Sequence, residues 1–156
     1  MRTKVKKAYK TELKPGKTQK ALLANHAGAA RFAFNWGLAK RIEEYKKTGG
    51  SSNAIEQHRQ LNSLKKTEYP WMYEVSKCAP QEALRDLDRA FSNFFRWVKA
   101  KKEGKHNGKV GFPRLKSRRQ GLGSFRLTGA IHIEEKRVKL PPPGMDKAQG
   151  ERIPAG

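Results

Sequence analysis

The sequence predicts an α+β fold in which three helices lie between segments of β-strand. Apolar residues recur at helical spacing in residues 18–47, 53–66 and 77–102. Short runs rich in Val, Ile, Thr and Tyr lie before and after these stretches and end at Pro or Gly, which is typical of strands. The chain has 156 residues, enough for one modest domain with a small hydrophobic core.

Residues 3–13 predict a basic strand, because they contain Val, Tyr and Thr and are followed by the turn Pro15–Gly16. Their apolar residues recur every four positions, so a helix is the alternative. The first clear helix follows, with Thr18 as its expected N-cap. Gly28 and Gly37 weaken the interior of this helix, so they predict a bend or close packing near them.

Turn residues at 48–53 separate the first helix from a second, polar helix. Trp71 and Tyr73 follow the second helix in a connector. Aromatic rings in such a position can stack on nucleic-acid bases. Packing over the small helical core is the interpretation that we favour here.

The third helix is long and amphipathic. Ser76 is its expected N-cap, and Pro80 lies in its first turn, where a missing N–H is tolerated. Its apolar stripe is predicted to pack in the core and consists of Leu84, Leu87, Phe91, Phe94, Phe95 and Val98. Trp97 is assigned to the core with them. Asp86 and Asp88 point to different sides of the helix and are predicted to pair with nearby arginines.

The charge balance is strongly basic, with 35 Lys and Arg against 14 Asp and Glu, a formal charge of +21 and an isoelectric point near 10.4. Such an excess destabilises a compact state unless a polyanion neutralises it, so nucleic acid is the expected partner. A membrane surface is the competing polyanion, but no apolar run approaches the roughly 18 residues that span a bilayer. No leader pattern opens the chain. We expect a cytoplasmic protein with no membrane partner and no small-molecule substrate.

The sequence shows no catalytic or metal-binding pattern. The single cysteine, Cys78, excludes an internal disulfide and a multi-cysteine zinc site, and we expect it to be a small, partly buried side chain. The four histidines lie far apart without ligand spacing. The most acid-rich spot, Glu134–Glu135, falls in a predicted turn rather than in a strand that could hold metal-binding carboxylates. The residues therefore predict binding without catalysis and no cofactor.

The densest basic stretch is the Gly-rich segment 104–121, called the basic loop below. From residue 101 to residue 119, eight Lys and Arg stand against one Glu. A solvated loop is one interpretation of such a run. The glycines favour nucleic acid, because they let backbone amides approach phosphate groups closely. The expected nucleic-acid-binding side chains are Lys109, Arg114, Lys116, Arg118 and Arg119.

The C-terminal part predicts short strands at 124–127, 130–133 and 138–140. A charged hairpin turn, 134–137, joins the last two. The prolines from Pro141 onward are expected to end the last strand. The segment after them is poor in apolar side chains, so we expect it to be mobile and to break off within a longer fold.

Four stretches together carry a family signature: ARFAFNWGLAKRIEEYKKTG (30–49), YPWMYEVSKCAPQEALRDLDRAFSNFFRWVK (69–99), GFPRLKSRR (111–119) and IHIEEKRVKLP (131–141). They resemble the N-terminal region of the OrfB/TnpB-type proteins encoded by bacterial insertion sequences. Older naming calls this region a helix-turn-helix transposase domain. The resemblance implies an RNA-guided DNA endonuclease related to type V CRISPR effectors, with a wedge β-barrel, a helical recognition insertion and a RuvC-like nuclease domain.

The resemblance refines the fold to a three-helix recognition insertion between β-strands of an incomplete wedge-type β-barrel. Its segments would be the first wedge strand (1–16), the helical recognition insertion (17–103), the basic loop (104–121) and the returning wedge strands (122–156). Family chains run to several hundred residues. The resemblance therefore implies that this chain stops before the RuvC-like nuclease domain and that Mg²⁺ is needed only there.

The resemblance also implies sites of contact with nucleic acid. Lys77 and Gln81, at the start of the third helix, and Thr128, in the returning strand, match positions near the target-adjacent motif in duplex DNA. A Lys and a Gln one turn apart suit base edges, and ordinary surface residues at a helix start are the alternative. Arg31 and Asn35, in the ARF-x-x-N motif, are further expected nucleic-acid-binding residues.

Two functional hypotheses remain open. The first is a non-catalytic module of a transposon-encoded, TnpB-like RNA-guided endonuclease, which binds guide RNA and target DNA. The second is an autonomous basic DNA- or RNA-binding protein that acts as a regulator or RNA chaperone. A native stop codon just after Gly156, together with stable folding of the chain alone, would favour the second hypothesis. Downstream in-frame sequence with the nuclease carboxylates would favour the first.

Overall fold

The computed structural model describes residues 2–129, 131–140 and 152–155. Within them the chain forms three α-helices, two short 3-10 helices and one three-stranded antiparallel sheet. The α-helices are α1 (Lys17–Thr48), α2 (Ala54–Lys65) and α3 (Cys78–Lys102), the 3-10 helices are Pro70–Glu74 and Arg118–Gln120, and the strands are β1 (His132–Glu134), β2 (Arg137–Lys139) and β3 (Arg152–Pro154). The predicted α+β class is confirmed. The wedge-type barrel stays a prediction, because the described strands form only this small sheet.

The bounds of the three helices agree with the sequence prediction to within one residue, but the first cap differs. Gly16 is the N-cap of α1, and its N–H donates to Oε1 of Gln19 at 3.0 Å. The predicted cap, Thr18, already lies inside the helix. At the start of α2, Asn53 and Glu56 form a reciprocal capping box, which explains the sharp beginning of that helix.

Helix α1 packs closely against α3 at Gly37. A Cβ atom at this position would lie 2.7 Å from Cδ2 of Leu84 and 3.0 Å from Cδ2 of Leu87. Close packing is therefore confirmed at Gly37, while Gly28 meets only the Arg31 guanidinium, at 3.8 Å. The buried core around this contact contains Ala30, Ala33, Phe34, Leu38, Ala54, Leu61, Met72, Ala83, Leu84 and Leu87.

A polar network joins the three helices beside this core. Arg41 of α1 pairs with Asp88 of α3, and its Nε donates to the side-chain oxygen of Gln57 in α2 at 3.2 Å. Gln57 in turn donates to the carbonyl of Gly37 at 2.8 Å. Asp88 also accepts from the backbone N–H of Ala54 at 3.1 Å. The predicted pairing of Asp88 with an arginine is confirmed, and the network satisfies polar groups that burial would otherwise penalise.

The two halves of the apolar stripe on α3 differ. Leu84 and Leu87 are fully buried, whereas Phe95 is 60% exposed and Trp97 is 44% exposed. The prediction that Phe95 and Trp97 belong to the core is wrong, because the described part of the chain leaves their outer side uncovered. Phe95 instead packs on the ring of Phe94, its neighbour in the same helix, with centroids 5.2 Å apart.

The three strands form a sheet in the order β1, β2, β3. Glu134 of β1 pairs with Arg137 of β2, so Glu135 and Lys136 make the predicted charged hairpin turn. The predicted strand at 124–127 is not formed. None of the described helices is long and apolar enough to cross a membrane.

The N-terminal segment does not form the predicted strand. Residues 2–12 are exposed and lie outside any regular element, and Leu13 makes only an isolated bridge with Ala155. A strand needs a neighbour to satisfy its backbone groups, and the bridge is the single pairing of this kind among the described residues of the segment. Next to it, the N–H of Lys14 donates to the carbonyl of Pro154 at 2.7 Å.

Strand β3 corrects the expectation of a mobile C-terminal segment for residues 152–154, while residues 141–151 lie outside the described residues. Its residues pair with β2, and Ile153 is fully buried. The sequence reasoning missed this strand because it contains a single strongly apolar residue. The predicted strand end at Pro141 lies outside the described residues.

Candidate nucleic-acid interface

The basic loop is held against α1 through its backbone. The side-chain amide of Asn35 donates to the carbonyl of Lys116 at 2.8 Å and accepts from the N–H of Lys116 at 2.7 Å. One turn earlier, Arg31 donates to the carbonyl of Leu122 at 3.5 Å. Asn35 therefore positions the basic loop with both of its polar atoms, and Arg31 holds the residue that follows the loop.

Two aromatic contacts fix the path of the basic loop further. The ring of Phe112 packs edge-on against Phe91 and Phe94 of α3, with centroids 5.6 and 5.2 Å away. The ammonium of Lys116 lies 4.3 Å from the ring centroid of Phe34 in α1. The loop is thus anchored to both α1 and α3, although it contains only one short turn of 3-10 helix.

The predicted binding cations of the basic loop lie at its surface. The predicted binding residues of the loop are exposed, and within the described chain none of them forms an ion pair: Lys109, Arg114, Lys116, Arg118 and Arg119. Arg118 also lines a cleft of about 800 Å³ together with Trp36 and Trp71. Cations that lack acidic partners are available to phosphate groups.

The start of α3 brings together the other predicted residues, Lys77, Gln81 and Thr128, called the α3-start cluster below. Thr128 lies beside Cys78, whose thiol contacts the Thr128 carbonyl at 3.5 Å and its hydroxyl at 3.6 Å. Lys77 precedes Cys78, and the N–H of Gln81 donates to the Lys77 carbonyl at 3.3 Å. Lys77 and Thr128 are exposed and Gln81 is half-buried, so all three reach the surface.

The pKa of Cys78 reflects this arrangement. Burial raises the pKa of its thiol, but hydrogen bonds with Thr128 and Ser76 and the charge of Lys77 outweigh burial and lower it. Ser76, the predicted N-cap, accepts from the N–H of Cys78 at 3.3 Å, while Lys77 occupies the cap position in helical geometry. Ser76 therefore caps the turn that precedes the helix.

A buried histidine holds the start of α3 in place. His26 of α1 donates from Nδ1 to the Leu22 carbonyl at 2.8 Å, and its Nε2 accepts from the backbone N–H of Ser76 at 3.0 Å. This pattern requires the neutral ring with its proton on Nδ1. Burial lowers the pKa of His26, and the hydrogen bond to Leu22 offsets that effect in part. Phe125 packs on the same ring, with centroids 5.2 Å apart.

Arg126 ties the returning segment to α3 one and two turns after Cys78. Its guanidinium pairs with Asp86 and lies 3.4 Å from the buried carboxylate of Glu82. The packing of Phe125 on His26 and the ion pair of Arg126 with Asp86 fix the returning segment just before Thr128. They therefore place Thr128 at the α3-start cluster. The predicted pairing of Asp86 is confirmed. Sequence reasoning missed His26, Arg126 and Glu82, because nothing in their local sequence marks these long-range contacts.

Metal binding finds no support in the described residues. They contain no group of three or more His, Cys, Asp or Glu side chains that could hold a metal ion. The Mg²⁺ that the family resemblance implies for a nuclease domain stays a prediction.

A family model described as a helix-turn-helix domain of the OrfB/IS605 type matches residues 1–50. The N-terminal part of the chain is thus similar to this domain. The resemblance predicted from the sequence is confirmed. Among the described residues of the matched stretch, the structure has one helix, α1, and the segment that leads into it.

This chain is also similar to curated proteins that are named as RNA-guided DNA endonucleases. The Escherichia coli K12 protein named "Putative RNA-guided DNA endonuclease InsQ" is 29% identical over 96% of this chain and 35% of its own length. A Streptomyces pristinaespiralis protein named "Putative RNA-guided DNA endonuclease" is 32% identical over 82% of this chain and 29% of its own length. A similarly named Mycobacterium tuberculosis protein is 33% identical over 85% of this chain and 31% of its own. The chain thus spans about a third of the length of these relatives.

Proposed function

We propose that this chain is a nucleic-acid-binding module of a transposon-encoded, RNA-guided DNA endonuclease of the TnpB type. The observation that carries the proposal is the α3-start cluster, where residues distant in sequence converge on one exposed site. The names of the relatives supply the class of activity. In this proposal the module binds guide RNA and target DNA, and Mg²⁺-dependent cleavage is assigned to a RuvC-like domain of a full-length protein.

The cluster is chemically suited to reading base edges. A lysine ammonium donates to the O6 and N7 acceptors of guanine, and a glutamine amide can both donate to and accept from adenine. Lys77 and Gln81 lie one helical turn apart, and Thr128 adds a hydroxyl beside them. Their backbone is held by His26 and Arg126 before any ligand arrives. Such preorganisation lowers the entropic cost of binding.

The basic loop has a different role in this proposal. Its exposed cations neutralise phosphates, which gives affinity without sequence preference and makes binding fall steeply with salt. Asn35 and Phe112 keep the backbone of the loop on α1 and α3. The same cations serve guide RNA or DNA, because phosphates are common to both.

Binding to RNA tests the proposal against the autonomous basic binding protein. The purified chain is titrated with a structured RNA from the 3′ end of its own element and with an unrelated RNA of equal length, each across a salt series. We expect its own RNA to bind more tightly at physiological salt. Equal binding that collapses as salt rises would favour the autonomous protein, since only the +21 charge would then be acting.

Binding to DNA tests the α3-start cluster. A library of duplexes with a randomised short motif is selected on the wild type and on Gln81→Ala, with Asn93→Ala, an exposed residue of α3, as control. We expect an enriched motif that Gln81→Ala weakens by about 1–3 kcal/mol and that Asn93→Ala preserves. If no motif is enriched by the wild type, the assignment of this cluster to base reading is wrong.

A further inference from the structure

A wide cleft lies between α1, the 3-10 helix Pro70–Glu74 and the end of the basic loop. Its volume is about 800 Å³, and four aromatic residues line it: Phe32, Trp36, Tyr69 and Trp71. Phe32 packs edge-on against Tyr69 and Trp71, with ring centroids 4.8 and 5.2 Å away. These rings therefore hold one another in place, yet 39% of the surface of Trp71 stays exposed.

Gly28 leaves room in this cleft on the side of α1. It lines the cleft, and a Cβ atom at this position would meet only the Arg31 guanidinium, at 3.8 Å. Glycine inside a helix is less favourable than alanine. The packing of α3 explains the glycine at position 37, but no described neighbour explains Gly28. The open cleft supplies a reason, because a larger side chain there would occupy space that a ligand could use.

Cations flank the aromatic rings of the cleft. Arg31 and Arg118 line it, and the ammonium of Lys40 lies 5.7 Å from a ring centroid of Trp36. Glu74 is the one acid among the described residues of the lining. A cationic surface beside aromatic rings is the arrangement with which proteins hold single strands, because the charges follow the phosphates and the rings stack on the bases.

We propose that this cleft binds one unpaired base of an RNA strand, which stacks on Trp71 while a neighbouring phosphate pairs with Arg118. The volume lies in the range of sites that take small organic ligands, about 300–1,000 Å³. RNA presents unpaired bases in loops and bulges, whereas the bases of a duplex stack on one another. The carboxylate of Glu74 can accept from an N–H of the base or from a ribose 2′-hydroxyl, which DNA lacks.

The inference rests on the proposed function for its choice of nucleic acid as the partner. It adds a site that shares no residue with the α3-start cluster, so the two sites can fail separately. The alternative is that the cleft is a solvent-filled groove and that Trp71 only covers Phe32. Single substitutions on the aromatic side and on the α1 side of the cleft separate these interpretations.

Trp71→Ala removes the stacking surface. Tyr73→Ala is the matched control, because Tyr73 lies in the same 3-10 helix, is 37% exposed and does not line the cleft. Gly28→Leu fills the cleft from α1 without removing a ring, and leucine suits a helix better than glycine. Its control is Ala39→Leu, at an exposed position of α1 outside the lining. Thermal unfolding checks that the variants are folded.

The first readout is the affinity for a short, labelled single-stranded RNA at physiological salt, measured by fluorescence anisotropy. We expect Trp71→Ala and Gly28→Leu each to weaken binding about 5- to 100-fold, the range for the loss of one stacked base. The two controls should leave the affinity nearly unchanged. If folded Trp71→Ala binds as tightly as Tyr73→Ala, the cleft is not a base site, although RNA binding by the wild type would retain the proposed function. A wild type that binds no nucleic acid would overturn both.

The second readout is tryptophan fluorescence. Trp36 and Trp71 are two of the three tryptophans, and Trp97→Phe removes the third, which does not line the cleft. A base stacked in the cleft should quench the emission of this variant. We expect single-stranded RNA to quench it more strongly than an RNA duplex or single-stranded DNA of the same sequence.

The other outcomes of this titration overturn parts of the proposal. Equal or stronger quenching by single-stranded DNA would overturn the assignment to RNA. Equal or stronger quenching by the duplex would overturn the assignment to an unpaired base. No quenching by any of the three would overturn the site.

Discussion

Helices α1 and α3 each carry a polar pair one turn apart that the sequence assigns to nucleic acid. In α1 the pair is Arg31 and Asn35, and in α3 it is Lys77 and Gln81. Asn35 donates to and accepts from the backbone of Lys116 in the basic loop, and Arg31 donates to the carbonyl of Leu122, the residue after the loop. The side chain of Lys77 is exposed and forms no ion pair within the described chain. The same spacing therefore does not fix a role: the α1 pair holds backbone groups, whereas contact of the α3 pair with nucleic acid is a proposal.

The packing of α1 against α3 at Gly37 supports both pairs, so a substitution there has the largest expected effect. Gly37→Val would drive a side chain into Leu84 and Leu87, and we expect a loss of about 1–3 kcal/mol in the free energy of unfolding. Both pairs should be affected, because α1 and α3 must move apart. Chemical denaturation measures the loss, with Gly28→Ala as control. An unchanged stability of Gly37→Val would show that the helices separate without cost.

The pH dependence of stability tests how His26 supports the α3 pair. The folded pKa of His26 is lowered from its ordinary value of 6.5, chiefly by burial. Below that pH the unfolded chain binds a proton that the folded chain resists, so the free energy of unfolding should fall as pH decreases. The slope is at most about 1.4 kcal/mol per pH unit for one proton.

Denaturation between pH 7.5 and 5 measures this slope. The pH dependence of the free energy of unfolding that is due to His26 should disappear in His26→Gln. It should persist in His132→Gln, which replaces an exposed histidine of β1. If His26→Gln shows the same slope as the wild type, the pH dependence arises from another group.

Asn35→Ala sharpens the comparison from the side of α1. The variant leaves the N–H and carbonyl of Lys116 without their partner, and we expect a loss of about 1 kcal/mol, because exposed loop groups can bind water instead. Amide hydrogen exchange at Lys116 should speed up. The affinity of the basic loop for phosphate should fall only because the loop is no longer held on α1. Asn93→Ala is the control. Loss of DNA sequence preference in Asn35→Ala would instead place Asn35 in contact with bases.

Lys77→Ala should have the smallest effect on stability. Its side chain is exposed, so we expect the free energy of unfolding to change by less than about 0.5 kcal/mol. DNA binding should still weaken. Lys20→Ala, an exposed lysine of α1, controls for the loss of one charge. A large loss of stability in Lys77→Ala would assign this residue to the fold rather than to the ligand.

The sequence predicted the helices well and the site only in part. Periodicity placed three long helices within one residue of their bounds, because an amphipathic helix repeats its signal over many turns. Short strands carry a weak signal. Residues 3–12 and 124–127 have strand-like composition but no strand neighbour among the described residues. Strand β3 was missed because pairing with β2, rather than composition, forms it.

The sequence by itself determined the α+β class, the excess of positive charge, the charged hairpin turn and the family resemblance, because these depend on composition and on local patterns. The tertiary structure decided which polar residues are used and which are free. Asn35 and Lys116 are 81 positions apart, and Ser76 and His26 are 50 apart, so their hydrogen bonds leave no local trace. Exposure of Trp71 and of Phe95 is likewise set by what packs on each side chain.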